Sequence, residues 1–164
     1  MKLNRGTARQ LLIGGLAGIS FACPAYAQTF IGAQDPPQLV AAINGLSDSF
    51  EASIDPESKN IIALSYGRRQ HKIVLGRCDR NQQNCKVMTF RIGLSNYAEV
   101  TAEELAKDFT LPDGYRLFIG ADKLVVIEWT LDTSTPIKLL EFQPMLGGFT
   151  SSVEEIASYL DPME

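Results

Sequence analysis

The stretch KIVLGRCDRNQQNCKVMTFRI, residues 72–92, decides how this chain is read. It opens on Lys72-Ile73-Val74-Leu75, a β-branched apolar run, and closes on Lys86-Val87-Met88-Thr89-Phe90-Arg91-Ile92, which alternates apolar and polar side chains. Alternation with a period of two is the mark of a half-buried strand. Between the two runs, Asp79 to Asn84 are six polar turn formers. The reading is a β-hairpin, with strands at 71–78 and 85–94 and with Cys78 and Cys85 facing each other across its mouth. A redox pair usually keeps two residues between its cysteines at a helix start, and a zinc site needs four ligands where His71 is the one histidine on offer. In an oxidising compartment the pair reads as a structural disulfide.

Working outward, the chain alternates short strand patterns with a few helical ones. Asp35-Pro36-Pro37 starts a helix, with Asp35 as cap and Leu39, Val40, Ile43 and Leu46 at helical spacing. Phe50 to Asp55 and Ile61 to Tyr66 read as strands, with turn chemistry after each. Beyond the hairpin, Thr101-Ala102-Glu103-Glu104 has the form of a capping box, and Leu105, Ala106 and Phe109 give its short helix an apolar face. Tyr115 to Ile119 and Lys123 to Leu131 are two further strands joined by Gly120-Ala121-Asp122. Thr133 to Pro136 caps a helix carrying Ile137, Leu139, Leu140, Phe142 and Met145; Gly147-Gly148 breaks it, and a last short helix runs from Ser151 to Leu160. The order α-β-β-β-β-α-β-β-α-α predicts an α+β fold, a largely antiparallel sheet of five to six strands with helices packed on it.

The N-terminus carries an address. Lys2, Arg5 and Arg9 form a basic n-region, residues 11–22 (LLIGGLAGISFA) an uncharged apolar run, and Ala25-Tyr26-Ala27 a small-residue cleavage site. This is the pattern of a secretory signal peptide, residues 1–27, cleaved between Ala27 and Gln28. The run is too short for a stable membrane anchor, which needs about 20 residues. Lipidation of Cys23 is disfavoured by the bulk of Phe21. The sequence thus predicts an exported protein, periplasmic or secreted, with residues 28–164 as one α+β domain. The leader holds three of the 15 basic residues and none of the 19 acidic ones, so the exported part carries 12 basic and 19 acidic residues, a formal charge of −7. An acidic exported chain is not a nucleic-acid binder through its overall field. With 45% hydrophobic and 21% charged residues, disorder and collagen-like or coiled-coil classes are excluded.

The paired-cysteine hairpin leading into Val87-Met88-Thr89-Phe90, then Thr101-Ala102-Glu103-Glu104-Leu105, then Tyr115-Arg116-Leu117-Phe118 followed by Leu124-Val125-Val126-Ile127-Glu128, resembles the YbjN family over residues 35–160. Those bacterial proteins, many of them exported, are described as regulators of sensory transduction and have no established biochemical role. The element order resembles the type III secretion chaperone-like fold. The resemblance implies a non-enzymatic binding, regulatory or chaperone-like module and self-association as a homodimer, and it brings no catalytic residues.

The residues themselves supply no cofactor site and no catalytic pattern: GxSxG, GxGxxG, P-loop and HExxH are all missing from the sequence. His71, in the run Arg68-Arg69-Gln70-His71-Lys72, reads as an exposed turn histidine whose basic neighbours disfavour its protonation. Were the chain a small periplasmic hydrolase, the alternative reading, His71 would be its base. Glu103-Glu104 and Glu154-Glu155 read as first-turn helix residues rather than catalytic carboxylates, and Trp129 reads as core. Charge is unevenly placed. Arg68, Arg69, Lys72, Arg77, Arg80, Lys86 and Arg91 stand against Asp79 alone within residues 68–91, whereas residues 99–164 hold 13 acids. These seven cations are the expected docking residues for an acidic partner: a protein, an envelope polyanion, or the acidic face of another copy.

Overall fold

The structure, a computed structural model, describes residues 29–161. The expected leader, its cleavage site and Cys23 lie outside the described residues. In chain order the elements are β1 (Phe30–Ile31), α1 (Pro36–Asn44), β2 (Phe50–Ile54), β3 (Ile61–Tyr66), β4 (Arg69–Gly76), β5 (Val87–Leu94), α2 (Ala102–Asp108), β6 (Tyr115–Ile119), β7 (Val125–Asp132), β8 (Ile137–Lys138) and α3 (Leu139–Leu160). The fold is α+β. Strands β2 to β7 form a six-stranded sheet in the order β2-β3-β4-β5-β7-β6, with every neighbouring pair antiparallel. β1 and β8 pair separately.

Alternation along the strands sorts the sheet into two faces. One takes Ile62 and Leu64 of β3, His71, Ile73 and Leu75 of β4, Met88, Phe90 and Ile92 of β5, and Ile127 and Trp129 of β7, all buried. Helices cover this face. Phe142 and Phe149 of α3 pack on Phe90 and Trp129, with ring centroids 5.8–6.4 Å apart, and Phe90 stacks on its cross-strand partner Trp129 at 4.9 Å. Leu39 and Ile43 of α1 and Leu105 of α2 enter the same buried cluster. Each large side chain buried there is worth about 1.5–3 kcal/mol, so this layer supplies most of the stabilisation.

Local signals act as the sequence suggests at several points. Asp35 caps α1 by accepting the Gln38 N–H, with prolines in the first turn. The capping box of α2 forms, Thr101 and Glu104 each accepting the other's backbone N–H. Cys78 and Cys85 are bonded, with an S–S distance of 2.04 Å. Asp79 organises the intervening loop: its carboxylate accepts the N–H groups of Asn81 and Gln83 and the Asn84 side-chain amide. These bonds, Gln83's first, hold the Asp79 carboxyl below its usual range.

Three local expectations are corrected. The two C-terminal helices are one, α3, which runs unbroken through Gly147-Gly148 and contains Pro144. Burial of Phe142, Leu146, Phe149 and Val153 on one stripe outweighs the propensity cost of about 1 kcal/mol per glycine. Residues 133–136 do not cap this helix directly, because β8 intervenes and α3 begins at Leu139. Thr133 instead ties the chain together: fully buried, it accepts the Ala33 N–H and donates its own N–H to the Lys86 carbonyl. Third, Glu154 and Glu155 lie in the body of α3, not in a first turn.

Candidate functional site

The second face of the sheet faces away from the helices. It carries Ile61, Ala63 and Ser65 of β3, Gln70, Lys72 and Val74 of β4, Val87, Thr89 and Arg91 of β5, Glu128, Thr130 and Asp132 of β7, and Arg116 and Phe118 of β6, with most of these side chains partly or fully exposed. Antiparallel sheets commonly leave one face solvated, so the face alone is unremarkable. Its charge is more informative. Strand register sets Ala63, Lys72, Arg91, Glu128 and Arg116 in one row across β3, β4, β5, β7 and β6. Glu128 is the central anion, its side chain only 14% exposed, with Arg91 at 3.5 Å on one side and Arg116 at 3.8 Å on the other. The three side chains fix one another across three strands. Lys72 stands between Ala63 and Arg91 in this row, exposed, and is its outermost charge on that side. Arg116 also lies over the Phe118 ring, 5.6 Å from its centroid. The row therefore presents three cations around one anion on a flat, semi-apolar surface. At the β6 end Leu124 reaches over Gly93, where a side chain would meet it at 2.9 Å.

The seven expected docking residues are divided by the fold. Lys72 and Arg91 share the open face. Arg69 points to the helical side and donates from Nε to Glu154 at 3.0 Å. Arg68 sits in the β3–β4 turn, and Arg80 in the disulfide loop. Arg77 reaches Asp132 at 3.5 Å, and the positive charge of Lys86 acts on the same carboxylate. The hairpin thus does not offer its cations as one surface, because successive side chains of a strand alternate between faces. Arg116 is the member of the row outside residues 68–91. Its partnership with Glu128 depends on the pairing of β6 with β7, a register that composition does not announce.

His71 is not an exposed turn residue. It lies within β4, opposite Leu64, and is 2% exposed, its ring set edge-on to Phe149 at 5.9 Å. The β3–β4 turn is tighter than the sequence suggests, so the strand starts at Arg69 and turns His71 inward. Neither ring nitrogen has a hydrogen-bond partner among the described residues. Burial lowers its pKa to about 4, against a partial upward pull from Glu154 and a further push down from Arg69. A base needs a reachable substrate proton, and His71 lies beneath α3 rather than in a cleft.

Among the hollows at the surface, two border the disulfide loop and the end of α3. One, of about 520 Å³, runs between the start of α1 and the disulfide loop, bordered by Pro36, Pro37, Ile54, Lys59, Gln82 and Cys85. The other, of about 410 Å³, lies where β4 and the end of β5 meet the end of α3, bordered by Arg69, Leu94, Tyr97 and Leu160. His71 borders neither. Among the described residues no group of three or more His, Cys, Asp or Glu side chains is placed to hold a metal ion, and no helix is long and apolar enough to cross a membrane. No protein-family pattern, characterised protein or solved structure matches the chain.

Proposed function

We propose that this chain is an exported binding module of the YbjN type whose open sheet face docks an acidic segment of a partner protein in the cell envelope. The observation that carries this reading is the row Lys72, Arg91 and Arg116 around a single carboxylate, Glu128, on a flat face directed away from the helices. Exposed cations on a surface already held in register steer an anionic partner and fix its orientation. The flanking Val74, Val87 and Phe118 give the same surface apolar area to bury. The disulfide supports an oxidising compartment, in keeping with the leader expected at residues 1–27. The element order supports the family resemblance.

The test is site-directed photocrosslinking in the envelope, with the probe at Thr89 on the open face and, as control, at Glu155 on α3. The expected result is a discrete protein adduct from position 89 alone. With that partner purified, Lys72→Glu should weaken binding about tenfold and flatten its salt dependence. Lys72 is exposed, so the variant keeps the Arg91–Glu128–Arg116 bridge and the fold. An unchanged affinity in Lys72→Glu, or an adduct from position 155 only, would overturn the reading.

A further inference from the structure

The two edges of the six-stranded sheet are treated differently. On β2, outward backbone groups at Ala52 and Phe50 are occupied. The Asn44 side chain donates to the Ala52 carbonyl at 3.0 Å and accepts the Ala52 N–H at 2.6 Å, imitating a neighbouring strand, and the Phe50 N–H donates to the Ser47 carbonyl. On β6 the pattern is reversed. Thr130 N–H donates to Gly114 O and Gly120 N–H donates to Leu124 O, which sets the inward-bonding positions at even numbers, Arg116 and Phe118 among them. Tyr115, Leu117 and Ile119 therefore direct their backbone groups outward. The Tyr115 N–H turns back to the Pro112 carbonyl, but among the described residues no hydrogen bond engages the outward groups of Leu117. The edge has no proline, no lysine and no bulge; its one charge is Arg116, α2 packs beside it, and Tyr115, Leu117, Phe118 and Ile119 are half-buried.

We infer that β6 is the interface between two copies of this chain, which pair antiparallel about a two-fold axis through Leu117 and join their sheets into one. The occupant follows from self-complementarity. An axis at Leu117 lets its N–H donate to the second copy's Leu117 carbonyl and receive the same bond in return. Ile119 N–H then donates to the second copy's Tyr115 carbonyl. Arg116 falls opposite the second copy's Phe118, extending the arginine–ring contact already made within one chain. Tyr115 meets Ile119 and Leu117 meets Leu117, apolar on apolar, and no like charges are opposed. A foreign acidic strand, which the basic face would otherwise attract, would set alternate side chains against those three apolar positions. An isologous contact of this kind closes at two copies, and on the opposite edge Asn44 occupies the backbone of Ala52 in the middle of β2. The inference rests on the backbone of β6 and is tested separately from the docking reading, although Arg116 and Phe118 belong to both surfaces.

The experiment is sedimentation equilibrium of the exported chain over a concentration series, together with Leu117→Pro. Proline removes the N–H that points outward and leaves the ladder to β7 intact. The expected result is a monomer–dimer equilibrium that Leu117→Pro weakens about tenfold or more. Amide exchange of the unaltered protein supplies the second reading: the Leu117 and Ile119 amides should become protected as concentration rises, while the Ala52 amide stays protected throughout. A protein that remains monomeric at all concentrations overturns the inference. So does a dimer whose Leu117 amide exchanges as freely as in the monomer. Protection of Leu117 that requires an added extended peptide would assign the edge to a foreign strand and overturn it equally.

Discussion

His71 is the residue with the largest conflict between its chemistry and its place. Both ring nitrogens are buried without partners among the described residues, and an unsatisfied buried polar group costs about 1–3 kcal/mol. Its pKa also falls from 6.5 to about 4, principally through burial. The neutral form is the one that folds. As pH drops below 6.5 the unfolded chain takes up a proton that the folded chain refuses until about pH 4, so stability declines across that window and no further below it. The loss is about 3 kcal/mol. The depressed carboxyls of Asp79, Glu104 and Asp132 also favour the folded form, but theirs is lost at lower pH, from the ordinary carboxylate range downward, so the two windows separate. His71→Leu, close in volume and free of polar atoms, is expected to raise stability at pH 7 and to abolish the decline between pH 6.5 and 4.5. Urea unfolding at pH 7 and pH 4.5 measures both. A variant as acid-sensitive as the parent would place the titration elsewhere.

At the scale of the element, α3 shows tertiary packing overruling local preference. Its stripe of Phe142, Leu146, Phe149, Val153, Ile156 and Leu160 is buried end to end, and this holds a helix through Pro144 and two glycines. Gly147 faces solvent, and a Cβ there would meet nothing within 4 Å. Gly147→Ala should therefore stabilise the protein by about 0.5–1 kcal/mol, mainly by restricting the unfolded chain. Thermal unfolding would show it as a rise in midpoint of a few degrees. A fall would mean that the helix needs the glycine's freedom at this point. The same element shows what the sequence makes legible. Strands β2 to β7 and helices α1 and α2 are written locally, in alternation, in the Asp35 cap and in the Thr101 capping box, so they can be read one window at a time. The continuity of α3 rests on residues of the sheet that are distant in the chain, and the pairing of β1 with β8 joins two-residue strands too short to carry a pattern. The candidate site was half legible for the same reason: Lys72 and Arg91 belong to the hairpin that residues 72–92 announce, whereas Arg116 joins them only through sheet order.

At the scale of the molecule, the helical layer and the stapled hairpin meet in one core. The aromatic cluster of Phe90, Trp129, Phe142 and Phe149 supplies the centre of the core on the covered face, and Cys85 belongs to the same buried cluster. Cys78 packs against that cluster, so the disulfide acts by packing as well as by narrowing the unfolded ensemble. In the chain-entropy account a loop this small contributes about 2.5 kcal/mol. That is a large share of a margin of about 5–15 kcal/mol for an ordinary domain. The double variant Cys78→Ser/Cys85→Ser should still fold, since the Asp79 carboxylate keeps its bonds to Asn81, Gln83 and Asn84 and the β4–β5 ladder is untouched. Its denaturant midpoint should fall by an amount equivalent to about 2.5 kcal/mol, with a slightly steeper dependence on denaturant because the uncrosslinked chain exposes more surface when unfolded. The Lys72–Arg91–Glu128–Arg116 row lies in the middle of the strands, so partner binding by the folded variant should be unchanged. Lost binding at full stability would mean that the disulfide loop itself belongs to the docking surface. Unchanged stability would mean that the unfolded chain already holds this turn closed.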